Sequence, residues 1–299
     1  KNKVLLYDIM TERYEITSIL QKEFVHSPEV FGELEKGTEE NPAVTKESVH
    51  HFYKNVSGAP LVRPAWFFDV SQQGEGIVDI TTHMVDLIQW ECFPETALDY
   101  KKDVQILSAR RWPTKLSLEQ FGEVTGQAAY PPYLVNNVSD GVLSTYSNGE
   151  INYSLRGIHA KISVTWDFKA PEGTGDTHFS MMRGTKANVI IRQSKEQNYK
   201  PVLYIEPLLN NVEFETALLK NVSKLGKRYP GLDVKKTAQG WEVIIPEKYK
   251  VGHEEHFAQV TKKYLEYLKE GKLPDWEVPN MIAKYYTTTQ AREVALKNK

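Results

Sequence analysis

The second half of the chain carries an alternating pattern of apolar and polar residues that is typical of β-strands. From Ile158 to Phe168 every second residue is apolar, and each residue between them is polar or charged. Because successive strand residues face opposite sides of a sheet, this spacing predicts a long strand with one buried and one polar face. Asn148-Gly149, which lies between two strand-like runs within 141–169, predicts a tight hairpin turn.

Helical and extended patterns elsewhere complete the predicted order of elements. Helices are predicted at 12–36 with a break near Pro28, and at 74–90, 211–228, 253–270 and 279–297. Extended segments are predicted at 3–9, 49–54, 61–70, 104–111, 177–193 and 201–206, with a hairpin over 232–245 that turns at Gln239-Gly240. The strands cluster in runs and do not alternate with helices. The predicted fold class is therefore α+β, a large, mainly antiparallel open sheet with helices on one face.

Composition and charge narrow the range of functions. The chain has 299 residues, of which 40% are hydrophobic and 25% charged, as is ordinary for a globular protein. A formal net charge of -2 gives no field that would attract nucleic acid or an anionic membrane. No apolar run reaches the roughly 18–20 residues that span a bilayer. The single cysteine, Cys92, excludes an internal disulfide.

The segment 74–90 carries the clearest chemical pattern. Asp79, His83 and Asp86 have the spacing i, i+4, i+7 and share one face of a helix, with Thr82 beside them. A carboxylate one turn from an imidazole can orient the ring and stabilise its charged form, which suits general base catalysis. The same spacing also fits polar residues on a solvated helix face. A metal site is not predicted, because further ligands are missing from the pattern.

This helix resembles the corresponding helix of the Gfo/Idh/MocA oxidoreductases, a family that includes glucose–fructose oxidoreductase and inositol dehydrogenase. The similarity lies in Gly74-Glu75-Gly76 followed by Asp79, His83, Asp86 and Trp90. The order of the other segments is also similar. A strand at Val4–Asp8 matches the family's last Rossmann strand, an Arg/aromatic segment follows at 63–69, and a large sheet comes after the Asp/His helix. The resemblance covers nearly the whole chain.

The resemblance implies specific roles. In the family, the histidine at the position of His83 accepts the proton of the substrate hydroxyl while hydride passes to the nicotinamide. The aspartate that matches Asp79 contacts the substrate and supports the histidine. Further candidate substrate-binding residues are Asp86, Thr82, Lys54, Arg63 and Trp66. The implied substrate is a sugar, polyol or related cyclic alcohol, and the implied cofactor of the full-length protein is NAD or NADP.

The chain also departs from the family pattern. It has no Gly-x-Gly-x-x-Gly turn, and the family's catalytic lysine motif would precede its first residue. We therefore interpret residues 1–10 as the last strand of an absent nucleotide-binding domain and 11–299 as a substrate-binding and oligomerisation domain. The residues that bind the cofactor would lie in the absent domain, so none is assigned in this chain. The chain as given is expected to be inactive. The expected partners are a carbohydrate-like small molecule and, through the sheet, further copies of the chain.

Two other functions stay open at this point. One is an NAD-dependent glycosidase of the same fold, which would use a transient oxidation followed by elimination. The other is a carbohydrate-binding or assembly module without redox chemistry. The sequence leaves the cellular location open between the cytoplasm and an exported or periplasmic site.

Overall fold

A computed structural model describes residues 4–56 and 59–297, which form one large sheet and the helices that cover it. The strands are β1 (Val44–Tyr53), β2 (Asn55–Val56), β3 (Ala59–Pro60), β4 (Val104–Ser117), β5 (Val138–Ser139), β6 (Val142–Leu155), β7 (Ile158–Lys169), β8 (Thr177–Arg183), β9 (Ala187–Gln193), β10 (Val202–Pro207), β11 (Asp233–Lys236) and β12 (Trp241–Ile244). The helices are α1 (Ile16–Val25), α2 (Val70–Gln73), α3 (Ile80–Cys92), α4 (Leu118–Thr125), α5 (Val212–Gly226), α6 (His253–Glu270) and α7 (Glu277–Lys297). Short 3₁₀ turns lie at Thr11–Tyr14, Ala65–Phe68, Pro132–Asn137, Lys195–Gln197 and Glu247–Tyr249.

The main sheet has the strand order β11-β12-β10-β9-β8-β1-β7-β6-β4, and β5 pairs with β6. Neighbouring strands are antiparallel except for β1 and β7, which run parallel with Val44 opposite Ala160. The sheet is open, since β11 and β4 lie at its two ends. The predicted fold class, α+β with a large and mainly antiparallel open sheet, is confirmed.

The helices cover one face of this sheet and form its core. Along β7 the alternate residues Ala160, Ile162, Val164 and Trp166 are buried, as the alternating pattern predicts. Helix α1 packs on β9 and β10, α3 packs on β7, and α7 packs on β4. Burial of each such aliphatic side chain contributes roughly 1.5–3 kcal/mol, which makes this face the main source of stability. The other face of β7 carries polar residues.

A second, aromatic core lies under the segment that was predicted to be extended at 61–70. That prediction is wrong beyond Pro64, because the chain turns through Ala65–Phe68 into α2. The turn buries Phe68 completely, with its ring 5.0 Å from that of Phe52 and 5.4 Å from that of Phe121. Asp69 then caps α2 by accepting a hydrogen bond from the backbone N–H of Ser71. Aromatic packing and a helix cap therefore replace the expected strand.

The predicted strand at 3–9 is also wrong for the residues that the structure describes, and Lys1 to Lys3 lie outside them. Residues 4–10 have no regular secondary structure. The segment instead lies against α6, where the hydroxyl of Tyr264 donates to the carbonyl of Leu5 and the ring of Tyr7 stacks on that of Tyr264. An apolar run becomes a strand only when a neighbouring strand supplies backbone partners. The described residues supply none, so the domain boundary at residue 10 stays a prediction.

The hairpin turn predicted at Asn148-Gly149 lies elsewhere. Both residues are inside β6, and the connection to β7 is made by Arg156-Gly157, with φ angles of 52° and 79°. Gly149 is required by close packing, because a Cβ atom there would lie 2.5 Å from the Cβ of Ile77 in the segment before α3. The turn predicted at Gln239-Gly240, by contrast, does join β11 to β12.

Asn148 has its own structural role in the sheet. Its side-chain amide donates to the carbonyl of Trp112, where the pairing of β4 with β6 shifts register. Its side-chain carbonyl accepts from the backbone N–H of Trp166 on β7 at 2.6 Å. The asparagine thus satisfies backbone groups that the irregular ladder leaves unpaired.

We expect Gly149→Ala to lower the free energy of unfolding by about 1–3 kcal/mol, because the added methyl group overpacks the contact with Ile77. The shift of the urea unfolding midpoint measures this loss. Gly226→Ala is the matched control, since no atom lies within 4 Å of the Cβ it would add. Equal midpoints for the two variants would show that β6 and the segment before α3 do not meet closely.

Candidate active site

The start of α3 is held against the sheet by close backbone packing. A Cβ atom at Gly76 would lie 1.7 Å from the carbonyl oxygen of Ser147 on β6, so only glycine fits there. Asp79 occupies the N-cap position of α3 but makes no side-chain capping bond. Its carboxylate accepts a hydrogen bond from the side-chain amide of Gln73 at 2.9 Å. The Asp79 carboxylate is therefore turned away from its own helix and toward the end of α2.

His83 lies one turn further along α3 and is half-buried. Its Nδ1 atom is 2.6 Å from Oε2 of Glu12, which comes from the Thr11–Tyr14 turn. Burial lowers the pKa of His83, but the hydrogen bond and charge of Glu12, with the charges of Asp86 and Asp79, outweigh burial and raise it. In the part of the chain that the structure describes, no protein group bonds its Nε2 atom. His83 thus presents one free nitrogen and one bound to a carboxylate.

Asp79 and Glu12 respond differently to their surroundings. Burial raises the pKa of Asp79, and the hydrogen bond from Gln73 and the charges of His83 and His50 offset this only in part. Burial also acts to raise the pKa of Glu12, but its hydrogen bond and ion pair with His83 outweigh burial and lower it. The carboxylate paired with the imidazole is therefore the more firmly ionised of the two.

The sheet supplies a second group of polar residues on β1. The ring of His50 stacks on Trp166 with centroids 4.9 Å apart, and its Nε2 is 2.9 Å from the hydroxyl of Ser48. His178 on β8 lies opposite Ser48 in the ladder. Burial, with the charges of Lys46 and His50, lowers the pKa of His178 to about 3, so this ring is neutral at physiological pH.

Asp176, just before β8, forms ion pairs with residues at the end of β1. Its carboxylate lies 3.0 Å from Nδ1 of His51, 2.5 Å from Nζ of Lys54 and 3.5 Å from Nδ1 of His50. Burial raises its pKa, but hydrogen bonds from His50, Lys54 and His51 outweigh that effect and lower it. Lys54 and Asp176 also line a cavity of about 540 Å³ at the end of β1.

Asp86, predicted to bind substrate, lies in the protein interior. Its side chain is 2% exposed, and it accepts two hydrogen bonds from Arg13, at 2.6 and 2.7 Å, and one from Lys284 at 3.1 Å. Burial raises the pKa of Asp86, but the charges of Arg13 and Lys284 outweigh burial and lower it. The predicted contact with substrate stays a prediction, and this geometry favours a structural role, because α7 covers α3 at this turn.

The remaining predicted residues are bonded to other partners or exposed. Thr82 is buried and its hydroxyl donates to the carbonyl of Val78. Arg63 donates to the backbone carbonyls of Phe52 and His51 and lies over the ring of Trp166, while Trp66 is 46% exposed. Among the described residues, no hydrogen bond or ion pair links Lys54, Arg63 or Trp66 to Asp79 or His83. Their predicted contact with substrate stays untested.

Several residues of this site were missed from the sequence. Glu12 is 71 residues from His83 and lies at the start of the helix predicted at 12–36, whose pattern gave no sign of this contact. His50 and Asp176 are 126 residues apart and are brought together only by the pairing of β1 with β8. Gln73 precedes the glycine-rich turn and carried no signal of its own. Contacts of this kind between distant segments leave no spacing that a single sequence could reveal.

The family of this chain follows from a comparison with family models. Residues 20–296 match the family model described as "Putative oxidoreductase C terminal domain". The chain belongs to this family, which is of the Gfo/Idh/MocA type, and the resemblance inferred from residues 74–90 is confirmed. None of the curated proteins matches the sequence significantly.

Solved structures show the same fold. A crystal structure of a putative oxidoreductase from Parabacteroides merdae has 53% identity and a TM-score of 0.97, covering 99% of this chain and 68% of that one. A transcriptional regulator from Kluyveromyces lactis has 11% identity and a TM-score of 0.56, with 98% and 61% covered. A 3-ketoreductase from Actinomadura kijaniata, in complex with TDP-benzene and NADP, has 11% identity and a TM-score of 0.51, with 97% and 61% covered.

We expect Asp86→Asn to destabilise the protein by about 3–5 kcal/mol at neutral pH, because it leaves the buried charges of Arg13 and Lys284 short of a partner. The folded-state pKa of Asp86 lies below its unfolded value, so its contribution is present above about pH 4 and is lost as the pH falls through the folded-state pKa. Urea unfolding between pH 3 and 8 measures both effects.

The control for this substitution is Asp167→Asn, at an exposed position of β7. We expect it to change stability by less than about 0.5 kcal/mol, as is usual for surface substitutions. If Asp86→Asn is as stable as Asp167→Asn at pH 7, the buried ion pair does not hold α3 in place.

Proposed function

We propose that this chain is the substrate-binding domain of an NAD(P)-dependent oxidoreductase that acts on a sugar, polyol or related cyclic alcohol. The observation that carries the proposal is the half-buried imidazole of His83, whose Nδ1 is bound to a carboxylate while its Nε2 has no protein partner among the described residues. Family membership supports the oxidoreductase class. The substrate class is inferred from the polar groups beside His83.

His83 would serve as the general base for a substrate hydroxyl. When Nδ1–H donates to Glu12, the neutral ring has its lone pair on Nε2 and can accept a proton there. Asp79, held by Gln73, would accept a hydrogen bond from the same or a neighbouring hydroxyl. His50, which lies close enough to affect the pKa of Asp79, would face the ligand from the sheet. These groups suit a ligand that carries several hydroxyls.

The sequence motif of a dinucleotide site is absent from this chain. The sequence has no Gly-x-Gly-x-x-Gly turn. Its glycine-rich segment before α3 is filled by protein, since a Cβ atom at Gly76 would meet the carbonyl of Ser147 at 1.7 Å. We therefore assign NAD or NADP to the part of the family structures that this chain does not span, and we derive no chemical step through the cofactor.

A non-catalytic role is the second candidate. The same fold occurs in a transcriptional regulator, so the fold alone does not require redox chemistry. A carbohydrate-binding module would need the polar groups around Asp79 but would not need a base with a free Nε2. Ligand binding without turnover by the protein together with its dinucleotide-binding part would favour this candidate.

Cleavage of aryl glycosides without net NADH formation would instead favour a glycosidase of this fold.

We expect His83→Ala to lower kcat by roughly 10²–10⁴ in the protein together with its dinucleotide-binding part, because the substrate hydroxyl then lacks a base. A panel of sugars and polyols, followed through the absorbance of NADH or NADPH, measures turnover. His253→Ala on α6 is the matched control, since this exposed histidine lies on another helix. Turnover of His83→Ala at the rate of the control would remove His83 from the mechanism.

The open face of the sheet is our proposed surface for self-association. Phe179 and Met181 on β8 are only partly buried on this face, and Ile190 on β9, opposite Met181, is buried beneath it. The ion pair of Arg192 with Glu206 lies beside this patch. Such a patch on a broad sheet suits the same surface of a second copy, which would cover it symmetrically.

We expect Met181→Glu to convert an oligomer of this chain to a monomer, because a charge would be buried in the interface. Sedimentation velocity at several concentrations measures the change. Leu219→Glu is the control, since Leu219 is 46% exposed on α5 and away from the sheet face. A wild-type chain that sediments as a monomer throughout would contradict the proposed interface.

A further inference from the structure

Three acids lie near His83, and the structure distinguishes their roles. Asp79 and Asp86 share its helix, and the sequence pattern assigned the supporting role to Asp79. In the structure the carboxylate of Asp79 is engaged by Gln73 and that of Asp86 by Arg13 and Lys284. Only Glu12, from a different part of the chain, has a hydrogen bond to the ring of His83 among the described residues.

The Thr11–Tyr14 turn that carries Glu12 is firmly positioned relative to α3. Arg13, the next residue, is 8% exposed and bonds Asp86 on α3 through two nitrogens and Glu277 on α7 through a third. Helix α6 packs on the other side of the turn. Since Asp86 lies one turn beyond His83, the Arg13–Asp86 pair sets the distance between Glu12 and the imidazole.

We propose that Glu12 is the positioning residue for His83, holding its Nδ1–H so that Nε2 is the atom that accepts a proton. This inference rests on the proposed function of His83 as a base. It replaces Asp79 as the supporting carboxylate and leaves Asp79 free to contact the ligand. A carboxylate in this position selects one tautomer, orients the ring and stabilises its protonated form.

The charges around the pair are compatible with this role. His83 faces Glu12 from the turn and Asp79 and Asp86 from its own helix, and the effect of Glu12 on its pKa is the largest of the three. The charge of Glu12 also acts on His178 of β8 and His256 of α6, where it works to raise the pKa of each ring. The pKa of His83 is raised, so its neutral, proton-accepting form accumulates only as the pH rises through that raised value.

The test compares Glu12→Gln with Asp79→Asn. Each variant removes one negative charge and keeps a hydrogen-bonding side chain of similar shape. In this chain, ¹⁵N-detected imidazole spectra, assigned with His83→Gln, report both the pKa of His83 and which nitrogen carries the proton. We expect Glu12→Gln to lower the pKa of His83 by about one unit or more, the range for loss of an adjacent opposite charge. We expect a smaller shift in Asp79→Asn.

Two results from these variants would overturn the inference. One is a His83 pKa in Glu12→Gln equal to that of the wild type, and the other is a larger decrease in Asp79→Asn. A neutral ring with its proton on Nε2 in the wild type would also contradict it. If thermal unfolding shows that Glu12→Gln does not fold, Glu12→Asp provides the test. Its shorter side chain withdraws the carboxylate, so an unchanged His83 pKa in that variant overturns the inference.

Measurements of kcat and KM then distinguish a failure of this inference from a failure of the proposed function. In the active protein, Glu12→Gln should lower kcat with little change in KM and move the acidic limb of the pH profile to lower pH. Glu12→Asp should restore part of the loss. The spectra need no substrate, so a Glu12-dependent pKa of His83 without oxidoreductase activity would refute only the proposed function. Activity with a pKa independent of Glu12 would refute only the role of Glu12.

Discussion

The ion pair between Arg13 and Asp86 determines where the candidate active site can form. Both side chains are nearly buried, so each charge requires the other, and Glu277 and Lys284 complete the network from α7. The pair joins the Thr11–Tyr14 turn to α3. Glu12 and His83 occupy positions next to these anchors, so the short distance between them follows from the pairing of their neighbours.

A second buried pair fixes the other half of α3. Lys46 on β1 and Glu91 on α3 are both fully buried, with 2.8 Å between Nζ and Oε2, and Lys46 also donates to Ser180. Burial raises the pKa of Glu91 despite the nearby charge of Lys46. With one pair near its middle and one near its end, α3 is held over β1 and β7.

The site therefore belongs to a fold that several functions share. A sheet of this kind occurs in a 3-ketoreductase from one organism and in a transcriptional regulator from another. What argues for chemistry in this chain is local, namely an imidazole bound by a carboxylate on one side and without a protein partner on the other. The same local features explain why Asp86, on the same helical stripe as His83, is better suited to structure than to ligand binding.

The fold class, the strand β7 with its two different faces, and the helix that carries His83 were all predictable from periodicity, because such patterns reflect one face of one element. The turn at Asn148-Gly149 and the strand at 3–9 were predicted wrongly, because packing against Ile77 and the lack of a neighbouring strand override local preference. The partner of His83 was beyond prediction. Glu12 and Asp79 are both plausible carboxylates in the sequence, and only the buried pairing of Arg13 with Asp86 brings Glu12 to the ring.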